Sequence, residues 1–336
     1  MNPLKPLRSI KRHFGKIALG TFGSLTAMHI GSYVYSTHDS RTSEEYVGDL
    51  GYDLSSVQER PDASKDIHVV RRIAPYFTFR IALSAALSEN SLGDLLAIYD
   101  GVARTYNGGG AMPALKIIHP ASTESFRSKG NFRFPNGDFY KLYHSDDMKP
   151  YKAFVMLHEL GHFGPESSVT SGIIKGEIGS DLYAYRHSDK LTDSEISTKF
   201  KDDRILSAYA ILWDFGAFYD AYHDTALATA LADKNIAVGK DDIFKTRRNI
   251  TRLFDEKYTL MIISQRNTSL EDVLEVVEAL QVDNTLSERF VYKNPNMDLY
   301  VRTTLDLLHG ALMRLKEKGP EPKPSRHKFV LSHQPS

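Results

Sequence analysis

Two histidines and a glutamate near the middle of the 336-residue chain have the spacing of a metal-binding motif. The segment His158-Glu159-Leu160-Gly161-His162 places the two imidazoles four residues apart, one above the other on the same face of a helix. Both can therefore point at one metal ion. A zinc ion held this way keeps an open position and lowers the pKa of its bound water to about 7. The motif therefore predicts carbonyl hydrolysis, with His158 and His162 as ligands and Glu159 as the general base.

The sequence around the motif predicts a buried helix. Asp146 and Asp147 offer N-cap oxygens, and Pro150 is tolerated in the first turn. Gly164-Pro165 then ends the helix, and the residues before it are mostly apolar. The alternative is that the two histidines lie on the surface of an ordinary helix. Apolar neighbours disfavour that alternative, because a buried His-Glu-His cluster without a metal would leave polar groups to satisfy.

Two protein ligands are too few for a zinc site, so a third must follow in the chain. The Gly and third His of the metzincin pattern are missing, because Pro165 and Ser168 stand at those positions. Glu177-Ile-Gly-Ser180-Asp181 offers a better match, in which Glu177 and Asp181 are four residues apart and can face the first helix together. Judged by spacing alone, Asp181 and His187 are further candidates for the third ligand.

With the two motifs together, the chain resembles the gluzincin metallopeptidases, and their thermolysin-like branch in particular, over about residues 154–185. The resemblance implies that Glu177 coordinates zinc. It also implies that Asp181 accepts a hydrogen bond from a zinc-binding histidine, His158, and so orients that ring. The chain departs from thermolysin in one respect, since the 15-residue step from His162 to Glu177 is shorter.

The same resemblance implies an α+β, zincin-like fold, with a small sheet and the active-site helix followed by a mostly helical C-terminal half. The local pattern fits such an order. Residues 69–87 and 92–106 are predicted to be helices, and residues 114–119 a strand. Asn136-Gly137 between two aromatic segments predicts a β-hairpin, which either lines the substrate cleft or is purely structural.

The N-terminal 40 residues differ in composition from the rest. Five basic residues come before the first acid, Asp39, and residues 17–35 contain no Asp, Glu, Lys or Arg. This pattern predicts an uncleaved signal anchor, with the catalytic part outside the cytoplasm or exported. A cleaved export signal, a mitochondrial presequence and an amphipathic surface helix are the alternatives. The chain then divides into a basic segment (1–16), a signal anchor or transmembrane segment (17–36), a linker (37–66), a zincin-like catalytic part (67–190), a helical part (191–318) and a disordered, proline-rich tail (319–336).

Composition narrows the function further. The formal net charge is zero, which implies no bulk attraction to nucleic acid, and the lack of cysteine excludes thiolate ligands. We therefore expect a zinc-dependent metallopeptidase that acts on a peptide or protein and contacts the membrane through its N-terminal segment. The resemblance to thermolysin-like enzymes also makes His223 a candidate to stabilise the oxyanion, and a purely structural histidine is the alternative. The alternatives are a non-catalytic, membrane-tethered interaction protein with a zincin-like fold, and a helical scaffold in which the motif arose by chance.

Overall fold

The computed structural model describes residues 24–57, 66–71, 73–88, 110–120, 130–164, 173–192, 194–213, 221–261 and 267–322, which form a mostly helical chain with a small sheet. The helices are α1 (24–37), α2 (Ser43–Asp49), α3 (Pro75–Ser88), α4 (Met148–Gly161), α5 (Ile173–Leu191), α6 (Ser194–Tyr209), α7 (Ala221–Asp233), α8 (Lys240–Met261), α9 (Leu270–Gln281) and α10 (Met297–Lys318). The strands are β1 (Arg41–Thr42), β2 (His68–Val69), β3 (Gly110–Met112), β4 (Ile117–His119), β5 (Asn131–Arg133) and β6 (Phe139–Lys141). The predicted helix at 92–106 lies outside the described residues.

The larger sheet has the strand order β1-β2-β4-β3, with β2 and β4 parallel and the other two pairs antiparallel. It places β3 at an edge, where the strand also lies against helix α4. The predicted strand at 114–119 begins only at Ile117. Pro113 opens a short 3-10 turn there, and Lys116 ends it with a φ of 52° in the left-handed region. Similarly, the helix predicted from Val69 begins at Pro75, since proline favours the first helical turn.

The β-hairpin prediction is confirmed. Strands β5 and β6 pair as an antiparallel hairpin, and Gly137 in the turn has a φ of 87°, which suits glycine. Phe134 stacks on Trp213 with ring centroids 5.4 Å apart, so the hairpin packs onto the helical half. On its other side, Glu321 N donates to Phe139 O at 2.7 Å. The first residues of the predicted disordered tail therefore have a defined position beside β6, and residues 323–336 lie outside the description.

Helix α4 forms the centre of the core, and the prediction of a buried helix at this position is confirmed. Every residue from Tyr151 to Gly161 except Lys152 is buried. Phe154 packs on Phe200 of α6 at a centroid distance of 4.4 Å, and burying such a side chain stabilises the fold by about 1.5–3 kcal/mol. Asp147 makes no cap hydrogen bond with the helix, and instead pairs with Lys199 of α6 at 2.9 Å. One continuous core joins residues on both sides of the predicted boundary at 190/191, so that boundary does not separate two packing units.

The prediction of a membrane-spanning segment at 17–36 is wrong for the described residues, which contain no helix long and apolar enough to cross a bilayer. Residues 17–23 lie outside the description. The remainder of the segment, in α1, packs against the protein through polar and aromatic contacts: His29 meets the Phe77 ring at 5.3 Å, and Ser36 Oγ accepts from Ala74 N at 3.0 Å. The expected anchoring in a membrane by this segment is therefore wrong for the described residues.

The predicted linker at 37–66 also differs from the structure. Thr42 and Glu45 form a capping box that opens α2, in which each side chain accepts a hydrogen bond from the other residue's backbone N–H. Val47, Leu54 and Val57 are buried in the main core. The prediction of a linker followed from the acidic and polar residues that dominate the segment. These three apolar side chains attach the segment to the fold. Residues 58–65 lie outside the description.

Candidate metal centre

The two histidines of the motif lie one turn apart at the C-terminal end of α4. Their rings are 5.0 Å apart between centroids, nearly perpendicular at 87°. One ligand atom each of His158, Glu159 and His162 lies within 4.8 Å of the others, so this group can hold a metal ion. Helix α4 ends here because His162 N and Phe163 N turn to the carbonyls of Glu159 and Leu160, three residues back.

Helix α5 brings Glu177 to both imidazoles. Its Oε2 lies 3.4 Å from His158 Nε2, and its Oε1 lies 3.5 Å from His162 Nε2. Ligand atoms bound at about 2.0–2.1 Å to one tetrahedral ion are roughly 3.3–3.4 Å from one another, so these separations match the edges of such a site. They are also long for strong hydrogen bonds.

Proximity alone also includes Glu159 among the possible ligands. Glu177 has the closer geometry, because its two oxygens lie 3.4 and 3.5 Å from the two Nε2 atoms. Glu159 is the immediate neighbour of His158 on α4, whereas His158 and His162 share one face of that helix. Within the described part of the chain, Glu159 Oε2 and Glu177 Oε2 are buried oxygens without a hydrogen bond. Buried carboxylates of this kind need a cation or a proton, so the residues fit a metal with two nitrogen ligands and one oxygen ligand.

The close contact between α4 and α5 depends on Gly161. A Cβ atom at this position would lie 2.6 Å from Ser180 Cα, far inside van der Waals contact. Ser180 is fully buried and lies one turn beyond Glu177 on α5. The glycine in the first motif and the small residue in the second therefore allow the two helices to approach until Glu177 reaches the histidines.

Asp181 lies behind His158, on the side opposite Glu177. Its Oδ1 is 2.7 Å from His158 Nδ1, a distance typical of a charge-assisted pair, and its side chain is fully buried. Arg204 Nη2 of α6 lies 3.2 Å from the same oxygen. Thr229 Oγ1 of α7 donates to Oδ2 at 3.4 Å. A partner on Nδ1 fixes the ring orientation and leaves Nε2 as the ligand atom.

The pKa values of the two imidazoles are shifted in opposite directions. Burial alone would lower the pKa of His158, but Asp181 raises it to about 10. Burial lowers the pKa of His162 to about 4, and the His158 charge adds to this effect. Burial would also raise the pKa of Asp181, but Arg204 brings it down to about 2. Since a metal binds neutral imidazole, it would displace a proton at His158 and none at His162 near neutral pH.

The two glutamates also differ. Burial raises the pKa of Glu159 to about 7. Burial would raise that of Glu177 as well, but the contact with His158 and the nearby His162 lower it. A divalent cation on the imidazoles would stabilise the charged form of both carboxylates.

The remaining candidates do not join this cluster. Asp181 faces the Nδ1 side of His158, which suits an orienting role. His187 lies on α5, ten residues beyond Glu177, and its ring packs on Tyr183 at 4.6 Å. The His223 side chain lies outside the described residues.

Sequence reasoning missed Arg204 and Thr229. Neither belongs to a motif, and both come from helices distant in sequence. Arg204 follows the charged residues Lys201, Asp202 and Asp203 in the sequence, so no local signal marked it as the partner of a buried carboxylate.

Searches against protein-family models, curated proteins and solved structures gave no match to this chain, so the likeness to gluzincins remains a resemblance between motifs.

Proposed function

We propose that this protein is a zinc-dependent metallopeptidase of gluzincin type, with His158, His162 and Glu177 as the zinc ligands. The carboxylate of Glu177 supports this proposal most directly, because its two oxygens lie 3.4 and 3.5 Å from the two Nε2 atoms. The contact between His158 Nδ1 and Asp181 adds support, because zinc-binding histidines usually donate their second ring N–H to a carboxylate or carbonyl that orients the ring. Two imidazoles and one carboxylate are also a ligand set that catalytic zinc sites use, and three protein ligands leave the fourth coordination position open.

A bound zinc ion would supply Lewis acidity and an acidified water. The chain's own residues would do the rest. Glu159 is placed beside the ligands with Oε2 free of hydrogen bonds among the described residues, and would accept a proton there. It would then give that proton to the amine that leaves. Asp181 would hold His158 in one orientation throughout.

We further propose that the fold is zincin-like and that β3 lines the substrate cleft. Strand β3 is an edge strand, antiparallel to β4, and it lies against α4. In the described residues no strand pairs with its other edge. An extended peptide can add to such an edge by backbone hydrogen bonds. The hairpin β5–β6 is a weaker candidate for this role, because residue 321 already pairs with Phe139.

The test compares the parent with Glu159→Gln for zinc content and for digestion of a mixed peptide library, read by mass spectrometry. Gln has the shape of Glu but cannot accept the proton, and general base catalysis contributes about 10²–10⁴ in rate. We expect about one zinc per chain in both forms and cleavage only by the parent. Equal cleavage by both forms would exclude Glu159 as the base. Zinc in both without any cleavage would favour a non-catalytic interaction protein. No zinc in the parent would remove the proposal altogether.

A further inference from the structure

Helix α1 (24–37) presents an apolar face to solvent. The helix contains no Asp, Glu, Lys or Arg. Five of its large apolar side chains are each between 49% and 58% exposed: Leu25, Met28, Ile30, Val34 and Tyr35. A single exposed apolar residue is ordinary on a protein surface, whereas a contiguous group of them marks a surface that binds a partner.

The helical period separates this face from the side by which α1 packs. His29 and Ser36 hold the inner side of α1 against α3 and the residue before it. Ile30 and Val34 are one turn apart and lie roughly 110–150° around the helix from these two residues. A Cβ atom at Gly31 would meet no heavy atom within 4 Å, so this side of the helix is open. Helix α1 therefore packs by one side and leaves an apolar side uncovered.

Positive charge lies next to this apolar face. On α3, Arg80 Nη1 lies 3.0 Å from His29 Nδ1 of α1, and its neighbours Phe79 and Ile81 are also exposed. In the sequence, five basic residues precede α1, and the first acidic residue, Asp39, follows it. The five are Lys5, Arg8, Lys11, Arg12 and Lys16. An apolar helix face preceded by basic residues matches a partner that is negatively charged at its surface and apolar beneath it.

We propose that α1 binds an anionic lipid surface, with its apolar face at the boundary between head groups and acyl chains. The basic residues before it add electrostatic attraction to the head groups. Charge complementarity selects this partner, because a second copy of the chain would bring five more positive charges to the same face. A helix bound in this way lies along the surface and does not cross it. The inference does not depend on the proposed peptidase activity.

The experiment measures co-sedimentation of the full chain with two kinds of vesicle, phosphatidylcholine alone and a mixture in which about a quarter of the lipid is phosphatidylserine. Val34→Glu places a charge in the apolar face, and Ile30→Glu repeats the change one turn earlier. Val291→Glu is the matched control, because Val291 lies in the loop before α10 and is 51% exposed, against 54% for Val34. Lys11→Gln combined with Arg12→Gln removes two charges from the basic segment. Thermal unfolding checks that each variant is folded, and sedimentation velocity without lipid reports the oligomeric state.

We expect the parent and Val291→Glu to bind the phosphatidylserine vesicles equally. Val34→Glu and Ile30→Glu should each bind at least about tenfold more weakly, because burying one such side chain is worth a decade or more in affinity. The two-charge variant should lose about fivefold per charge, and salt at about 1 M should weaken binding of the parent.

No vesicle binding by the parent would overturn the proposal. So would an equal loss in Val291→Glu, or binding of the same strength to phosphatidylcholine alone. A dimer of the parent that Val34→Glu dissociates would also overturn it, since a second copy of the chain would then cover the face.

Discussion

Replacing Gly161 by alanine should weaken metal binding although no ligand is changed. The new Cβ atom would lie 2.6 Å from Ser180 Cα, whereas non-bonded carbon atoms prefer about 3.5–4.0 Å. The atom it meets belongs to the backbone and cannot rotate away, so α4 and α5 must separate by roughly an ångström. That displacement moves Glu177 from His158 and His162, which now lie 3.4 and 3.5 Å from its oxygens.

The expected loss follows from how strictly a metal site is defined. Ligand distances must hold within about 0.2 Å, and a shift of about 1 Å at a reacting centre can cost about 100-fold. We therefore expect zinc affinity to fall by about 10–100-fold. Overpacking costs about 1–3 kcal/mol in stability, and the better helix propensity of alanine offsets at most about 1 kcal/mol of it.

The assay is competition for zinc with a chromophoric chelator, together with the thermal midpoint of the chelated chain. Gly310→Ala is the matched control, because its Cβ would meet only the movable Arg314 side chain, at 3.4 Å. Gly48→Ala is a second control, with no heavy atom within 4 Å of the new Cβ. Both controls should bind zinc as the parent does. Parental zinc affinity in Gly161→Ala would refute the view that the helix contact sets the ligand geometry.

Three further outcomes are expected. Glu177→Ala should lower zinc affinity more than Asp181→Ala does. In a chelator competition, Asp181→Ala should lower the affinity by about 10–100-fold. The reverse order would make Asp181 the ligand. Arg204→Gln should lower the free energy of unfolding by about 3 kcal/mol or more, because buried Asp181 loses its guanidinium partner, and an unchanged denaturation midpoint would contradict this. Burial would raise the pKa of Asp147, but the His144 N–H and Lys199 together lower it. The ionised Asp147 therefore stabilises the fold above about pH 4, and this contribution is lost as the pH falls through the lowered pKa. Asp147→Asn should therefore reduce the acid sensitivity of the thermal midpoint of the chelated chain.

The parts of the site that sequence could predict are those encoded locally. Two histidines at helical spacing lie on one face wherever a helix forms, and Glu177 and Asp181 share a face for the same reason. The structure brings all four residues together. The hairpin was equally local, since Asn136-Gly137 encodes its turn.

Errors arose where tertiary contacts decide the outcome. Residues 17–35 contain no Asp, Glu, Lys or Arg, which predicts a membrane span. In the described part of this segment, His29 packs on Phe77 of α3 and Ser36 binds Ala74, the residue before α3. In the predicted linker, burial of Val47 and Leu54 outweighs an acidic composition. A window of sequence shows composition and period but not the surface on which a segment packs.

The contacts that support Asp181 cross the predicted boundary at 190/191. The carboxylate is on α5, before the boundary, but Arg204 and Thr229 reach it from α6 and α7, beyond it. A buried carboxylate without those partners is costly, and without a fixed Asp181 the His158 ring has no defined orientation. The helical half therefore supports the candidate metal centre. A fragment that ends at Leu191 would retain the proposed ligands and lose the residues that hold Asp181 in place.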